Sequence, residues 1–381
     1  MGFSALVMKK TKINLALISP NYNRYSETFI QAHRNIPGVY VSYYYDGALP
    51  ANLEGYGRLI GRKPMQKVMM LLISRLLHGG LTLREYSLAR SLRLEGIKCV
   101  LAEYGGTGVA VLPVCKKLDI PLIVHFHGYD ASIYDTLEKH RDGYIQLFVY
   151  AAYIVVVSQA MKQKMLSLGC PEEKIIYNVY GPDDSFFKVS PDYREKILIG
   201  AGRFVDKKAP YYTILAFSKI VNRHPDAKLI IAGTGVLHNS CHNLVKYLGM
   251  GKQIVLPGAV SPSDLKEYFK NARAVVQHSI TAANGDMEGT PVVVLEAGAA
   301  ALSVISTRHA GITDVVIEGE TGLLSDEHDV EGMAENMDII LKDRGVALKM
   351  GQNARNHIRT NYSMQRHLQK LSDIIKQSVK H

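Results

Sequence analysis

Two cations five positions apart follow an apolar run in Ile197-Leu-Ile-Gly-Ala-Gly-Arg203-Phe-Val-Asp-Lys-Lys208. Gly202 leaves the backbone bare at the turn. Arg203 offers a planar fork of donors and Lys208 a compact charge, a set that can clamp a pyrophosphate. A solvated basic turn would use the same residues. Further on, two carboxylates stand eight residues apart in Glu288-Gly-Thr-Pro-Val-Val-Val-Leu-Glu296. Gly289 and Thr290 suit a tight turn and a helix N-cap, and Pro291 the first helical turn. The free N–H groups of such a helix start hold phosphate oxygens. Glu288 precedes the helix and faces the same crevice. Glu296, two turns later, can accept hydrogen bonds from a ribose diol. Taken alone, the pair reads equally as ordinary acids flanking a helix. In the first half, His127 ends the segment Leu122-Ile-Val-His125-Phe-His127-Gly128-Tyr-Asp130. A strand-end His beside Gly lies where α/β sheets bind ligands. His125, two residues earlier, sits deeper in the sheet and reads as structural.

These groups need strands to carry them. Ile13–Ile18, Cys99–Ala102, Leu122–His125 and Ile154–Val157 are short apolar runs of the kind buried in parallel sheets. Ile197–Gly200, Ala227–Ile231, Ile254–Leu256, Ala274–Val276 and Ser303–Ser306 repeat the pattern. Helix-like stretches lie between them, among them Val109–Leu118, Tyr211–Asn222 and Pro262–Lys270. The alternation predicts α/β architecture, and two such series predict two Rossmann-like, doubly wound domains facing a central cleft. Turn residues collect over Gly181–Asp192. They place an N-terminal domain over residues 1–185 and a C-terminal domain over 186–358, which the resemblance given below makes the acceptor-binding and nucleotide-sugar-binding halves. Residues 359–381 form a last helix with apolar positions Leu368, Leu371, Ile374 and Ile375.

The bulk composition fits this reading. The chain has 381 residues, 47 % of them hydrophobic and 21 % charged, which is globular composition long enough for two cores. The four cysteines show neither disulfide nor metal-ligand spacing, as expected in a reducing, cytoplasmic setting. The net charge of +10 is concentrated in residues 1–190, with 22 Lys and Arg against 15 Asp and Glu. Without zinc-finger spacing or an aromatic RNA-binding signature, that excess does not point to nucleic acid. No apolar run is long enough for a spanning helix.

The motifs occur in a fixed order. After Val155-Val-Val-Ser158-Gln-Ala-Met-Lys162 and Ile176-Tyr-Asn178 come Gly202-Arg203 with Lys208, then Leu229-Ile-Ile-Ala-Gly-Thr-Gly235. Glu288 to Glu296 follows, then Gly311 and Gly319-Glu-Thr-Gly322-Leu-Leu. This series resembles glycosyltransferase family 4, retaining enzymes of the GT-B fold. The resemblance runs from about residue 12 to the end. It implies a nucleotide-sugar donor, favouring UDP, as substrate rather than cofactor. It implies that Arg203 and Lys208 hold the diphosphate, with amides of Gly289 and Thr290 adding donors, and that Glu296 takes the ribose. Glu288 and His127 lie at the donor sugar as catalytic candidates. It also implies that the last helix crosses back to the first domain. No metal is called for: an Asp-x-Asp motif is missing, and Asp183-Asp184 reads as turn chemistry. The chain departs from the family pattern at Ala209 and Ala301, both usually Gly, at Gly298 and Ser303, usually Met and Pro, and at Asp314, usually Glu.

The acceptor half is less explicit. Ser26 reads as a helix N-cap before Glu27, which is either an acceptor ligand or a capping acid. Tyr104-Gly105-Gly106-Thr107-Gly108 is a strand-to-helix turn whose glycines permit close approach of a ligand or simply a tight bend. Gly106 and Asp130 complete the acceptor-side candidates. Residues 58–98 hold nine Lys and Arg interleaved with Val68-Met-Met-Leu-Leu-Ile-Ser-Arg-Leu-Leu77. They form either an ordinary domain helix or a basic amphipathic helix lying on the anionic inner face of a membrane. The expected function is hexosyl transfer to a lipid-linked, glycolipid or polysaccharide acceptor. The alternatives are an epimerase of the same fold and a non-catalytic nucleotide-sugar-binding subunit.

Overall fold

The computed structural model describes residues 12–22, 27–60 and 80–380. Ser26 and the apolar centre of the basic segment, residues 61–79, lie outside the described residues.

The first half builds an eight-stranded sheet. Its strands are β1 (Ile13–Ile18), β2 (Val39–Tyr45), β3 (Asn52–Leu53), β4 (Gly57–Arg58), β5 (Cys99–Glu103), β6 (Leu122–His125), β7 (Tyr153–Val156) and β8 (Ile175–Tyr177), in the order β4-β3-β2-β1-β5-β6-β7-β8. All are parallel except the β3 and β4 edge, which pairs antiparallel. The second sheet comprises β9 (Ile197–Ala201), β10 (Lys228–Ala232), β11 (Ile254–Gly258), β12 (Ala274–Val276), β13 (Ser303–Thr307) and β14 (Gly322–Ser325), in the order β11-β10-β9-β12-β13-β14. Every residue of β5 and of β13 is buried. Such strands are covered on both faces by helices, which is why they read as unbroken apolar runs rather than alternating ones.

Each sheet reverses direction at one strand, β1 in the first and β9 in the second. Ligands bind at the carboxyl ends of the strands at such switch points. The loop Gly202–Lys208 leaves β9 there, and Ser19 to Asn21 leave β1 at the facing position.

The last helix, Met364–Lys380, returns to the first domain. Leu368, Leu371, Ile374 and Ile375 recur at helical spacing and pack with Leu15, Leu17, Ile30 and Leu101 in one apolar cluster. The two chain crossings touch at Gly181, where a Cβ would collide with the backbone of Met364. Asp314 of the second domain caps the helix Gln159–Ser167 of the first, its Oδ2 accepting from the Gln159 amide at 2.7 Å and from the Tyr177 hydroxyl at 3.2 Å. The described part of the basic segment includes the helix Leu83–Leu94, opened by a capping box between Thr82 and Glu85. It buries Leu88, Ala89 and Leu92 in the first core and leaves Arg84, Arg90 and Arg93 exposed.

Candidate active site

The loop after β9 sets the donor side. Asp206–Lys208 make one short 3₁₀ turn, Ala209 breaks it in the left-handed region (φ 35°), and Pro210 opens the helix Pro210–Ile220. Gly200, Gly202, Arg203, Lys208, Thr213 and Gln277 line a shallow, open pocket. Lys208 Nζ lies 3.2 Å from Glu288 Oε2 and donates to Gln277 Oε1 at 3.2 Å. Burial pulls the Lys208 ammonium below its usual range, against the opposing pull of Glu288. Burial pushes the Glu288 carboxyl up, but Lys208 and Lys207 outweigh it and hold the group below its ordinary value. Glu288 is therefore ionised. Its other oxygen, Oε1, is buried without a partner among the described residues, and such an atom lacks one hydrogen-bond donor. Arg203 is exposed at the mouth of the pocket.

The Glu288 backbone is fixed from below. Its N–H donates to His309 Nε2 at 3.1 Å, so the His309 proton sits on Nδ1, which donates to Glu327 Oε1 at 2.6 Å. Lys207, buried next door, donates to Asp286 Oδ1 and the Met287 carbonyl at 2.9 and 3.0 Å. Together these contacts hold the loop that presents Glu288.

The following helix starts later than its sequence suggests. It spans Val292–Ala299 with Pro291 at the N-cap. The Thr290 hydroxyl does not cap it, because that hydroxyl donates to the Val157 carbonyl of the first domain at 2.6 Å. The Gly289 carbonyl accepts from the Gly311 amide at 3.0 Å. The amides of Gly289 and Thr290 have no acceptor among the described residues. Glu296 lies on this helix, and burial together with nearby Asp183 pushes its carboxyl up to about 7. The ionised form is the stronger acceptor for a ribose diol, the ligand that the family resemblance implies for Glu296. On that expectation the KM for a nucleotide sugar falls several-fold as pH rises through about 7, and Glu296→Gln flattens the profile; initial rates between about pH 6 and 8 check it.

The structure brings Gly202, Arg203, Lys208 and Glu288 together, with Glu296 close enough to feel the Lys208 charge. The His127 ring packs among groups of the first domain, its side chain 4 % exposed. Nε2 lies 2.7 Å from Glu103 Oε2, and Nδ1 meets the Tyr180 hydroxyl. Phe29 packs on both rings. The main chain of His127 reaches the other domain instead: its carbonyl and Gly128 lie against Gly289. Asp130 is buried. Its carboxylate accepts from the amides of Gly105, His127 and Gly128 at 2.9–3.0 Å, tying two strand-end loops together. Gly106 sits in the first turn of the helix Gly105–Leu118, beside His140. Glu27 occupies the N-cap position without capping, and its Oε1 accepts from Asn21 Nδ2 at 2.8 Å and the Tyr104 hydroxyl at 3.0 Å.

Three residues of the site escaped the sequence reading. Lys207 was hidden by its neighbour Lys208. His309 shows only as a polar residue just after a buried strand. Glu103 carried a visible signal, an acid closing the run Cys99–Ala102, which has to be paired once buried.

Comparison with known proteins follows the same division. The family model described as "Glycosyl transferases group 1" matches residues 183–357. The one described as "Glycosyltransferase Family 4" matches residues 46–178. Among sequence relatives, a putative colanic acid biosynthesis glycosyltransferase WcaL of Salmonella typhimurium is 28 % identical over 243 residues, covering 62 % of this chain and 60 % of its own. The amylovoran biosynthesis glycosyltransferase AmsK of Erwinia amylovora is 28 % identical over 234 residues, covering 61 % and 58 %. The match thus spans about three-fifths of the length of these relatives. Among solved structures, Anabaena HepE in complex with UDP superposes with a TM-score of 0.76 at 14 % identity, over 96 % of this chain and 100 % of its own. Sucrose-phosphate synthase of Thermosynechococcus elongatus gives 0.74 at 17 % identity, over 96 % and 99 %. With its two halves matched by these models and its two sheets arranged as in these GT-B structures, the chain belongs to glycosyltransferase family 4.

Proposed function

We propose that the protein transfers a hexose from a nucleoside diphosphate sugar, UDP-linked, to a hydroxyl of a lipid-linked or glycan acceptor, with retention at the anomeric carbon. The observation that carries this reading is the Lys208–Glu288 pair, 3.2 Å apart in a pocket at the β9 switch point, with Arg203 at its mouth. The C1–O bond to the diphosphate breaks, and its electron pair goes to the phosphate oxygen. Lys208, Arg203 and the free amides of Gly289 and Thr290 stabilise that charge as preorganised donors. The acceptor oxygen bonds to C1 on the face the diphosphate leaves, and its proton passes to the departing phosphate. Glu288 Oε1 receives a hydroxyl of the donor sugar, which supplies its missing hydrogen bond. In this reading His127 contributes through its loop, which its ring anchors.

Relatives support the choice of substrates. Solved HepE structures hold UDP and glucose. WcaL and AmsK are named for colanic acid and amylovoran biosynthesis. A relative in Mycolicibacterium smegmatis, 23 % identical, is named as a GDP-mannose-dependent mannosyltransferase acting on a phosphatidylinositol mannoside, so guanosine donors belong in the test. No helix among the described residues is long and apolar enough to cross a membrane. The exposed Arg84, Arg90 and Arg93 support docking on an anionic surface, where a lipid-linked acceptor waits.

A donor screen that reads released nucleoside diphosphate, with and without a polyprenyl-linked glycan extract in anionic vesicles, tests the proposal. The expected result is release from one nucleotide sugar only when extract is present. Donor conversion without acceptor would favour an epimerase, and binding without turnover a non-catalytic subunit; either outcome overturns transfer.

A further inference from the structure

We propose that His33, Glu103 and His125, buried beneath the His127 loop, form a binding site for a divalent transition-metal ion, zinc by the chemistry of the ligands. Its role is structural. It is separate from the donor pocket and does not depend on the transferase reading.

Three elements deliver the ligands. His33 follows the helix Thr28–Ala32, Glu103 ends β5 and His125 ends β6. The parallel register pairs Glu103 directly with His125. All three are 0 % exposed. One ligand atom from each lies within 4.8 Å of the others. Two imidazoles and one carboxylate are a donor set that zinc takes up.

His125 supplies the independent observation. Both of its ring nitrogens are buried with no partner among the described residues. A neutral imidazole always has one N–H and one lone pair to satisfy. Its Nδ1 lies 3.8 Å from Glu103 Oε2. That is too long for a hydrogen bond, yet it is what two metal–ligand bonds of about 2.0–2.2 Å span at an open angle. An ion between them would take up the idle lone pair.

The surrounding contacts suit a metal site. His33 Nε2 lies 2.8 Å from His367 Nε2 on the last helix. With Nδ1 on the ion, the proton of His33 sits on Nε2 and donates to His367. Glu103 Oε2 also faces His127 Nε2 at 2.7 Å, so that ring donates to the ligating carboxylate. Metal-bound groups are oriented by such outer contacts. Without an ion, the His33–Glu103 contact of 2.6 Å is a hydrogen bond, and it opens by a few tenths of an ångström to admit one. The ion would pin the last helix and the His127 loop to the same carboxylate.

The test uses the full-length chain without an affinity tag, dialysed into metal-free buffer and assayed for zinc by elemental analysis. We expect about one zinc per chain. Chelator treatment should lower Tm by roughly 5–10 °C, and zinc chloride should restore it. Cobalt(II) in place of zinc should give visible absorption bands that His125→Ala abolishes and that the variant of exposed His242, His242→Ala, keeps. The proposal is overturned if the wild-type chain holds neither zinc nor cobalt after dialysis and its Tm ignores both zinc and chelator. It is equally overturned if His125→Ala holds as much metal as wild type.

Discussion

Lys208→Ala lowers turnover by about 10²–10³-fold, the loss seen when one preorganised donor to a developing oxyanion is removed. Lys208 is the half-buried cation of the pocket, its side chain 15 % exposed, so water replaces it only in part. The substitution also strands the Glu288 carboxylate, and losing one partner of a buried pair costs up to about 3–5 kcal/mol. Lys207 offsets part of that cost, since it too holds Glu288 below its ordinary range. Glu288→Gln separates catalysis from stability. It keeps the side-chain shape, removes the charge that orients Lys208 and gives Oε1 an uncharged replacement. We expect a loss of turnover of similar size with a smaller change in Tm. Steady-state release of nucleoside diphosphate and thermal melts on both variants check this.

Gly289→Ala has the second largest expected effect, through geometry rather than charge. A Cβ on Gly289 would run into the His127 carbonyl and lie 2.8 Å from a methyl of Val157. Both belong to the first domain. Beside them, Thr290 donates to the Val157 carbonyl and the Met287 amide to Ser132 Oγ at 3.2 Å. The loop that presents Glu288 is therefore seated directly on the first domain. Pushing the domains apart by about an ångström costs on the order of 100-fold in kcat/KM. Donor binding to the second domain alone should change far less. A steep fall in kcat/KM with a nearly unchanged Kd for the nucleoside diphosphate is the expected pattern.

The residues that declared themselves in the sequence are those whose chemistry is local. Arg203 and Lys208 follow an apolar strand end, and the strand puts them at the switch point without further help. The strands read as short apolar runs lie within a residue or so of where they occur. β2 was missed because its Val-Tyr-Val-Ser-Tyr-Tyr-Tyr is aromatic and hydroxylated, not a plain aliphatic run. β8 has only three residues, and β14 was read as a glycine motif rather than as a strand. The two alanines standing where relatives carry glycine, Ala209 and Ala301, both adopt positive φ, 35° and 59°. Each costs about 1–2 kcal/mol that glycine would avoid. The departures visible in the sequence therefore have a backbone meaning that only the structure supplies.

What was illegible depends on contacts between distant segments. The direction of the His127 ring is set by Glu103, 24 residues earlier, and by Tyr180, 53 residues later. The last helix contributes His367, 334 residues from its partner His33. Thr290 looks like an N-cap until its hydroxyl is seen crossing to Val157. Spacing along one chain segment carries no information about such partners, because they are chosen by tertiary packing of distant segments.

Calorimetric titration with UDP, GDP and ADP reads the proposed donor site of Lys208, Arg203 and Glu288 without any acceptor. We expect the wild-type chain to bind UDP and Lys208→Ala to weaken binding by at least about tenfold, the loss of one charge-assisted hydrogen bond. Binding of UDP with equal affinity to wild type and Lys208→Ala, or no binding of any nucleoside diphosphate by the wild-type chain, would contradict it.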